Sequence, residues 1–294
     1  MDPLKTYKRI LEGKEKPKFI KAKEDGTLEK KIKEAEGILE NCKLCERQCG
    51  VNRFKEKGFC GVGNEWRIFG AHTHWDEEKE LIPSATIFES GCTMKCVYCQ
   101  NAPESMDYNL GEEWSVKSVA EWIERKWKEG CKNINFVGGD PTPYIPHILK
   151  ALSLVNVNMP VVFNSNAYLS ETGMKLLDGV VDVYLFDFRY FSEKCARKLS
   201  SAPDYPEVAK RNHLLAKQQG ELMIRVLVMP GHIECDAKPV LRWIAENLGN
   251  VYVNVLGQYH PCWKAWDFPE LKRNLSSEEY WEVISYGKGL GLKV

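Results

Sequence analysis

Ala85-Thr86-Ile87-Phe88-Glu89-Ser90-Gly91-Cys92-Thr93-Met94-Lys95-Cys96-Val97-Tyr98-Cys99-Gln100 decides how the rest of this chain is read. It begins with a short apolar run containing β-branched and aromatic residues, which reads as a buried strand. It then crowds three cysteines into eight residues, spaced C-x3-C-x2-C. That set suits a soft metal centre needing several sulfur ligands, and iron-sulfur clusters and zinc are the commonest of these. A cubane of four irons held by three cysteines leaves one iron open, which makes it a place for chemistry. The competing reading is a zinc loop, but closed zinc sites usually show two paired C-x2-C or C-x2-H halves, and one half is visible around residue 92.

Apolar runs recur downstream at 133–137, 160–163, 181–186, 222–228 and 251–256, and helical stretches such as 115–123, behind an N-cap Ser115, separate them. Six strands alternating with helices predict a parallel sheet. Six repeats are too few for a closed eight-stranded barrel, so the expected fold is α/β, an open (β/α)6 partial TIM barrel with an N-terminal cysteine-rich extension. Ligands in such sheets bind outside the carboxyl ends of the strands. The polar motifs fall at those ends: Cys92 after the first strand, Gly138-Gly139-Asp140-Pro141 after the second, Asn164-Ser165-Asn166 after the third, Asp187 at the fourth, Pro230-Gly231-His232 after the fifth and Gly257-Gln258-Tyr259-His260 after the sixth.

Upstream, residues 1–40 are rich in Lys and Glu, and 28–39 reads as an amphipathic helix leading into Cys42, Cys45, Cys49 and Cys60. Four sulfurs make a closed site with a structural or electron-transfer role, and zinc and a second [4Fe-4S] cluster fit it equally. The expected division is a helical, cysteine-rich metal-binding segment at 1–82 and a barrel at 83–294. Seven of the eleven cysteines lie between Cys42 and Cys99, while Cys131, Cys195, Cys235 and Cys262 are scattered. Clustering of this kind suits metal ligands in a reducing compartment better than disulfides.

The chain has 294 residues, 44% hydrophobic and 28% charged, with a formal net charge of zero, which argues against a dedicated nucleic-acid or membrane surface. No run approaches the roughly 18 apolar residues of a membrane span, and the lysine-rich start lacks a secretory core. The expected location is the cytoplasm.

C-x3-C-x2-C with Tyr98 just before the last cysteine resembles the radical S-adenosylmethionine superfamily. From Cys42 to Ala265 the chain is similar to the branch described as pyruvate formate-lyase activating enzyme-related, with Asn41-Cys42-Lys43-Leu44-Cys45 and Cys99-Gln100-Asn101 as branch-like details. The resemblance implies a [4Fe-4S] cluster on Cys92, Cys96 and Cys99 whose open iron chelates S-adenosylmethionine. It also implies reductive cleavage to methionine and a 5'-deoxyadenosyl radical, fed by an electron donor such as flavodoxin or ferredoxin.

Residue by residue, the resemblance places Tyr98 at the cofactor and Gly138-Gly139-Asp140-Pro141 at the methionyl ammonium group, with Asp140 standing where Glu is usual. Asn164, Ser165 and Asn166 offer amides and a hydroxyl to ribose. Asp187 and Arg189 stand where the activases have Asp-Leu-Lys, and Arg189 would grip a carboxylate by a planar fork. Arg225, inside an apolar strand, needs a buried partner or a ligand carboxylate. His260 falls where the activases carry a histidine near the methionyl carboxylate. His232 and Cys262 are the weaker candidates for catalytic groups, Cys262 because isolated cysteines are commonly inert buried thiols. His72 and His74 alternate on one face of an expected strand and read as ordinary hydrogen-bonded histidines.

The function implied is hydrogen abstraction from a peptide or protein substrate, including a glycyl position. The alternatives are radical chemistry on a small molecule, or a non-catalytic iron-sulfur or zinc electron-transfer protein.

Overall fold

The computed structural model describes residues 2–294. Eight strands form one open sheet: β1 (Arg67–His74), β2 (Ser84–Glu89), β3 (Glu112–Glu113), β4 (Asn133–Gly138), β5 (Val161–Ser165), β6 (Val183–Asp187), β7 (Glu221–Leu227) and β8 (Tyr252–Leu256), in the order β3-β1-β2-β4-β5-β6-β7-β8. The six expected strands are β2 and β4 to β8, and all of them pair in parallel and in chain order. Sequential parallel strands require a crossover between each pair, and helices supply it. The helices are α1 (Lys5–Leu11), α2 (Lys18–Glu24), α3 (Thr27–Ile38), α4 (Val116–Lys128), α5 (Ile145–Leu154), α6 (Glu171–Leu177), α7 (Glu193–Ser200), α8 (Tyr205–Gln219), α9 (Lys238–Asn247) and α10 (Ser277–Gly289). Ser115 caps α4 by accepting from the Ser118 N–H, as its position before an amphipathic stretch suggests.

Two strands are added to the six parallel ones, the first being the strand expected under His72 and His74. β1 runs antiparallel to β2, and the two-residue β3 pairs antiparallel with β1. β1 carries His72 and His74 and belongs to the same sheet as the strands after residue 83. A short polar edge of this kind leaves little free ladder for pairing with another chain.

The first helices dock on the amino ends of the strands. The Glu221 carboxylate accepts from the backbone N–H groups of Thr6 and Tyr7 at 2.5 and 2.8 Å, at the start of α1, where unpaired donors favour an anion. Asp182 does the same for Lys18 at the start of α2, at 3.0 Å, and also accepts from Val161 N–H at 2.8 Å. Leu4, Tyr7 and Leu81 then pack against Val162, Val183, Leu185 and Met223. Each such buried side chain contributes about 2 kcal/mol. With the amino end filled by α1, the carboxyl ends are left to form the cavity.

Candidate active site

The cysteine loop is held from three sides. Gly91 turns the chain out of β2 with φ +82°, and a Cβ there would lie 2.5 Å from Val62 Cγ2 and 2.9 Å from the Cys60 carbonyl oxygen. Lys95 and Val97 donate backbone N–H groups to the Ser200 and Leu199 carbonyls at 2.9 and 2.8 Å, so the loop satisfies orphan acceptors at the carboxyl end of α7. Arg47 reaches the Thr93 carbonyl through Nε at 3.2 Å.

Each of the three sulfurs has hydrogen-bonding neighbours. Met94 N–H and Asn166 Nδ2 approach Cys92 Sγ at 3.4 and 3.7 Å. Ser200 Oγ and an Arg189 guanidinium nitrogen approach Cys96 Sγ at 3.0 and 3.8 Å. Cys99 Sγ lies 3.0 Å from Ser105 Oγ. Burial raises the thiol pKa of Cys92 well above its usual value, with the Asp140 charge adding to it. Burial also raises that of Cys96, with Arg189 opposing. Such thiols ionise when a metal takes the proton's place, so loading the site releases protons.

All three cysteines line one cavity of about 360 Å³. Around the same space stand Thr86 and Phe88 from β2, Val137 and Gly138 from β4 with Gly139 just after it, Asn164 and Ser165 from β5 with Asn166 just after it, Asp187 from β6 with Arg189 just after it, Arg225 and Leu227 from β7, Leu256 from β8, and Tyr98. The donor set and the room fit the expected group: three thiols face a space within the range of cofactor pockets.

The glycine pair has a packing cause. A Cβ on Gly138 (φ +121°) would lie 2.1 Å from Glu89 N, and one on Gly139 would lie 2.0 Å from the Gly91 carbonyl oxygen. The end of β4 and the start of the cysteine loop touch backbone to backbone, which only glycine permits. Asn101 Nδ2 closes the other side by donating to the Gly138 carbonyl at 3.0 Å.

Asp140 is withdrawn from the cavity lining. It is buried and accepts from Thr93 Oγ1 at 2.6 Å, Ser165 Oγ at 2.8 Å and Thr142 Oγ1 at 3.2 Å. Burial pushes its carboxyl up, against the three hydroxyls that hold it down. Its geometry is that of a positioning residue, tying the cysteine loop to the end of β5.

Asp187 and Arg189 pair at 2.5 Å. Arg225 has the buried partner its strand position demanded: Nε donates to Glu78 Oε1 at 2.7 Å, a second nitrogen to Glu78 Oε2 at 2.6 Å, and Glu77 closes the pair. Tyr98 is buried with its hydroxyl 2.6 Å from Tyr190 Oη, which lies 2.7 Å from Ser200 Oγ. A chain of hydroxyls therefore runs from Tyr98 through Tyr190 and Ser200 to Cys96.

The remaining sequence candidates stand outside the cavity lining. His260 is exposed, with Nδ1 3.3 Å from Gln100 Nε2. Cys262 is half-buried and its thiol donates to the Tyr98 carbonyl at 3.1 Å. His232 is buried against Asp236, with Nδ1 3.0 Å from Oδ2. Cys42, Cys45, Cys49 and Cys60 gather around a second, much smaller cavity with Leu44, Arg47, Phe59 and Pro143.

Several groups at the site escaped the sequence reading. Thr93 is hidden between two ligands of the C-x3-C-x2-C run, and Ser200 and Tyr190 lie a hundred residues from the cysteine they serve. His74 and Glu77 line the cavity, while His72 stacks on Phe88 at 5.2 Å between ring centroids. Asn101, in the loop after Cys99, and Asn135, within β4, also border the cavity.

Residues 86–244 match the family model described as the Radical SAM superfamily. The uncharacterized protein MJ0674 of Methanocaldococcus jannaschii is 45% identical over 271 residues, which cover 90% of this chain and 79% of that protein. Among solved structures the chain is similar to Streptococcus suis SuiB bound to the precursor peptide SuiA, with 13% identity, a TM-score of 0.50, and coverage of 67% of this chain and 43% of SuiB. It is also similar to methylornithine synthase, PylB, with 16% identity, a TM-score of 0.47, and coverage of 70% of this chain and 62% of that chain. The likeness to SuiB is one of fold, and the chain spans less than half the length of SuiB.

Proposed function

Because the chain belongs to the radical SAM superfamily, with a [4Fe-4S] cluster and S-adenosylmethionine as its cofactors, we propose that it abstracts hydrogen from a peptide or protein substrate. Bound together and reduced, those cofactors supply a 5'-deoxyadenosyl radical. The observation that carries the reading is the meeting of Cys92, Cys96 and Cys99 with polar residues from the strand ends in one cavity.

The chain's own residues have divisible tasks. Cys92, Cys96 and Cys99 hold the cluster, and the hydroxyls and amides around their sulfurs fix its orientation. Backbone groups of Gly138 and Gly139 stand ready for the methionyl ammonium group. Asn164, Ser165 and Asn166 offer donors and acceptors to ribose. Arg189 offers its fork to a carboxylate while Asp187 holds the guanidinium in place. Arg225, engaged by Glu77 and Glu78, braces the β7 side of the cavity. The walls hold the substrate against the reactive carbon centre and keep competing hydrogen donors away from it.

We read the strands after residue 83 as a partial TIM barrel, the stretch 1–82 as its cysteine-rich extension, and the whole as similar to the glycyl-radical-enzyme activases. Cys42, Cys45, Cys49 and Cys60 then hold a second cluster or a zinc ion. An enzyme of this class needs a one-electron reductant, and a flavodoxin or ferredoxin fits that need. Among the described residues no helix is long and apolar enough to cross a membrane.

A peptide or protein substrate is favoured by exposed tryptophans next to the site. Trp75 is 64% exposed between His74 and Glu77, which line the cavity, and Trp263 is 43% exposed beside Cys262. Exposed aromatics are common anchors for a partner chain.

The test is anaerobic reconstitution with iron and sulfide, reduction with dithionite, and chromatography for 5'-deoxyadenosine. The Cys92→Ala, Cys96→Ala, Cys99→Ala triple variant should make none. Extract from the source cell, split by size, then separates the substrate classes. Stimulation by the large fraction, lost after protease treatment, is expected. Stimulation by the small-molecule filtrate alone would overturn the peptide reading and leave the cofactor chemistry intact.

A further inference from the structure

Four potential metal-ligating side chains gather away from the cofactor cavity, on α7 and on the helical turn Ile233–Ala237, with its N-cap His232, that leads from β7 into α9. They are Cys195, His232, Cys235 and Asp236, and one ligand atom from each lies within 4.8 Å of all the others. In the sequence the two cysteines are forty residues apart and carry no motif. The turn presents its three ligands at i, i+3 and i+4, and the fold brings Cys195 over them.

Four of the six separations match those of ligands around a single ion, and the two from Cys195 to His232 and Asp236 lie within 4.8 Å. The two Sγ atoms are 3.8 Å apart, His232 Nδ1 is 3.6 Å from Cys235 Sγ, Cys235 Sγ is 3.4 Å from Asp236 Oδ2, and His232 Nδ1 is 3.0 Å from Asp236 Oδ2. A tetrahedral zinc with bonds of ~2.3 Å to sulfur and ~2.1 Å to nitrogen or oxygen spaces its ligands at ~3.8 Å for sulfur pairs, ~3.6 Å for mixed pairs and ~3.4 Å for the nitrogen–oxygen pair. The four contacts agree to within about 0.4 Å.

A second shell is also in place. Asp236 is buried and its other oxygen, Oδ1, accepts from the backbone N–H groups of Phe191 and Ser192 at 2.8 and 2.9 Å. Those bonds fix the carboxylate with Oδ2 turned to the two thiols and the imidazole. His232 is buried as well, while Cys195 is half-exposed and Cys235 exposed, which gives an ion a way in.

We propose that Cys195, His232, Cys235 and Asp236 bind one zinc ion in a closed, structural site. A donor set of two sulfurs, one nitrogen and one oxygen selects zinc over magnesium or calcium, which prefer oxygen ligands at higher coordination. Binding replaces the two thiol protons, which leave to solvent. The ion clips the segment from β6 to α7, which carries Asp187 and Arg189, to the segment after β7. This site is independent of the cofactor reading and stands or falls without it.

The test uses the full chain, purified anaerobically and stripped of metal, with zinc itself as the probe. Elemental analysis should find one fewer zinc equivalent in Cys195→Ser/Cys235→Ser than in the unmodified protein, because the other cysteine sets are common to both. His232→Gln should weaken that equivalent at least about tenfold. Should the variants fail to fold, the unmodified protein decides. Zinc should slow alkylation of Cys195 and Cys235, read by peptide mass spectrometry, and chelator should restore it. Equal zinc content in the double variant, alkylation indifferent to zinc, or a Cys195–Cys235 disulfide that forms equally with and without zinc would each overturn the proposal.

Discussion

The two cysteine loops of the N-terminal third touch each other yet sit in opposite surroundings. Cys92 donates its backbone N–H to the Cys60 carbonyl at 3.3 Å, so the loops share a wall. On one side, three thiols open onto a cavity of about 360 Å³ edged with amides, hydroxyls and paired charges from the strand ends. On the other, four thiols close a small space walled mainly by Leu44, Phe59 and Pro143, with Arg47 stacked 3.6 Å above the Phe59 ring. On the proposed reading both sides hold a metal through thiolates, and the neighbourhood divides the work between them. An open site needs room and polar partners beside it, and a closed one needs only its ligands and a dry shell.

The largest expected effect tests that division directly. Cys96→Ser removes a ligand from the open side and should lower 5'-deoxyadenosine formation by more than about 100-fold, since losing even an outer-shell partner costs up to that much. Cys45→Ser should release the metal of the closed side and lower the melting temperature, while the rate per remaining cluster stays within about threefold. An equal collapse of the rate in Cys45→Ser, with the first cluster still assembled, would break the comparison by showing that electrons pass through the closed side.

Asp140 sharpens the comparison from the open side. Its carboxylate gathers hydroxyls from Thr93, Thr142 and Ser165, and hydrogen bonds to a charged group contribute about 1.5–3 kcal/mol each. Asp140→Ala should raise the KM for S-adenosylmethionine by roughly tenfold or more and lower stability, with Asp140→Asn recovering part of both. An unchanged KM with a lowered kcat would place Asp140 at the reacting atoms and refute a purely positioning role.

Much of this arrangement was legible in the sequence, for physical reasons that also mark where legibility stops. Strands buried on both faces, such as Val161–Ser165, must be written as apolar runs, so the six parallel strands stood out. The cysteine loops stood out because metal ligands are sparse and close in sequence. β1 was legible only as a strand under His72 and His74, not as part of this sheet, and β3 was not legible, because edge strands are half-exposed or exposed and their mixed residues resemble a loop. Asp140, His260 and Cys262 were legible as strand-end residues. Which way each side chain points depends on partners such as Thr93 and Gln100 that no local pattern reveals. The grouping of Cys195 with Cys235 is purely tertiary.

Acidification probes the two regions through their buried histidines. His147, beside the closed side, donates its Nε2–H to the Asn64 carbonyl at 2.7 Å, and His213, under β6, stacks on Phe188 at 4.9 Å between ring centroids. Burial lowers both to about 4. A folded-state value below the unfolded one, about 6.5, means that the stabilising contribution is complete above pH 6.5 and is lost as pH falls toward 4. Each contributes on the order of 3 kcal/mol to that dependence. His147→Gln and His213→Gln should each flatten the fall in unfolding free energy between pH 6.5 and 4, measured against the unsubstituted chain. A curve of unchanged slope in either variant would show that the histidine is charged in the folded state.

The smallest expected effect lies in the hydroxyl chain that reaches Cys96. Ser200 Oγ is 3.0 Å from the sulfur, and Tyr190 and Tyr98 continue the chain behind it. A donor at a cluster sulfur stabilises the extra electron, so removing it should make the reduction potential more negative. Ser200→Ala should therefore shift the potential downward by tens of mV, the order that follows from changing one hydrogen bond by about 1 kcal/mol in a one-electron couple. The matched variant is Tyr190→Phe, which leaves the Ser200 donor in place. A shift in Ser200→Ala alone assigns the tuning to the last bond. The same shift in both variants would mean that the tyrosines set the serine's orientation, so that the open side's redox character extends through the buried hydroxyls of Tyr190 and Tyr98.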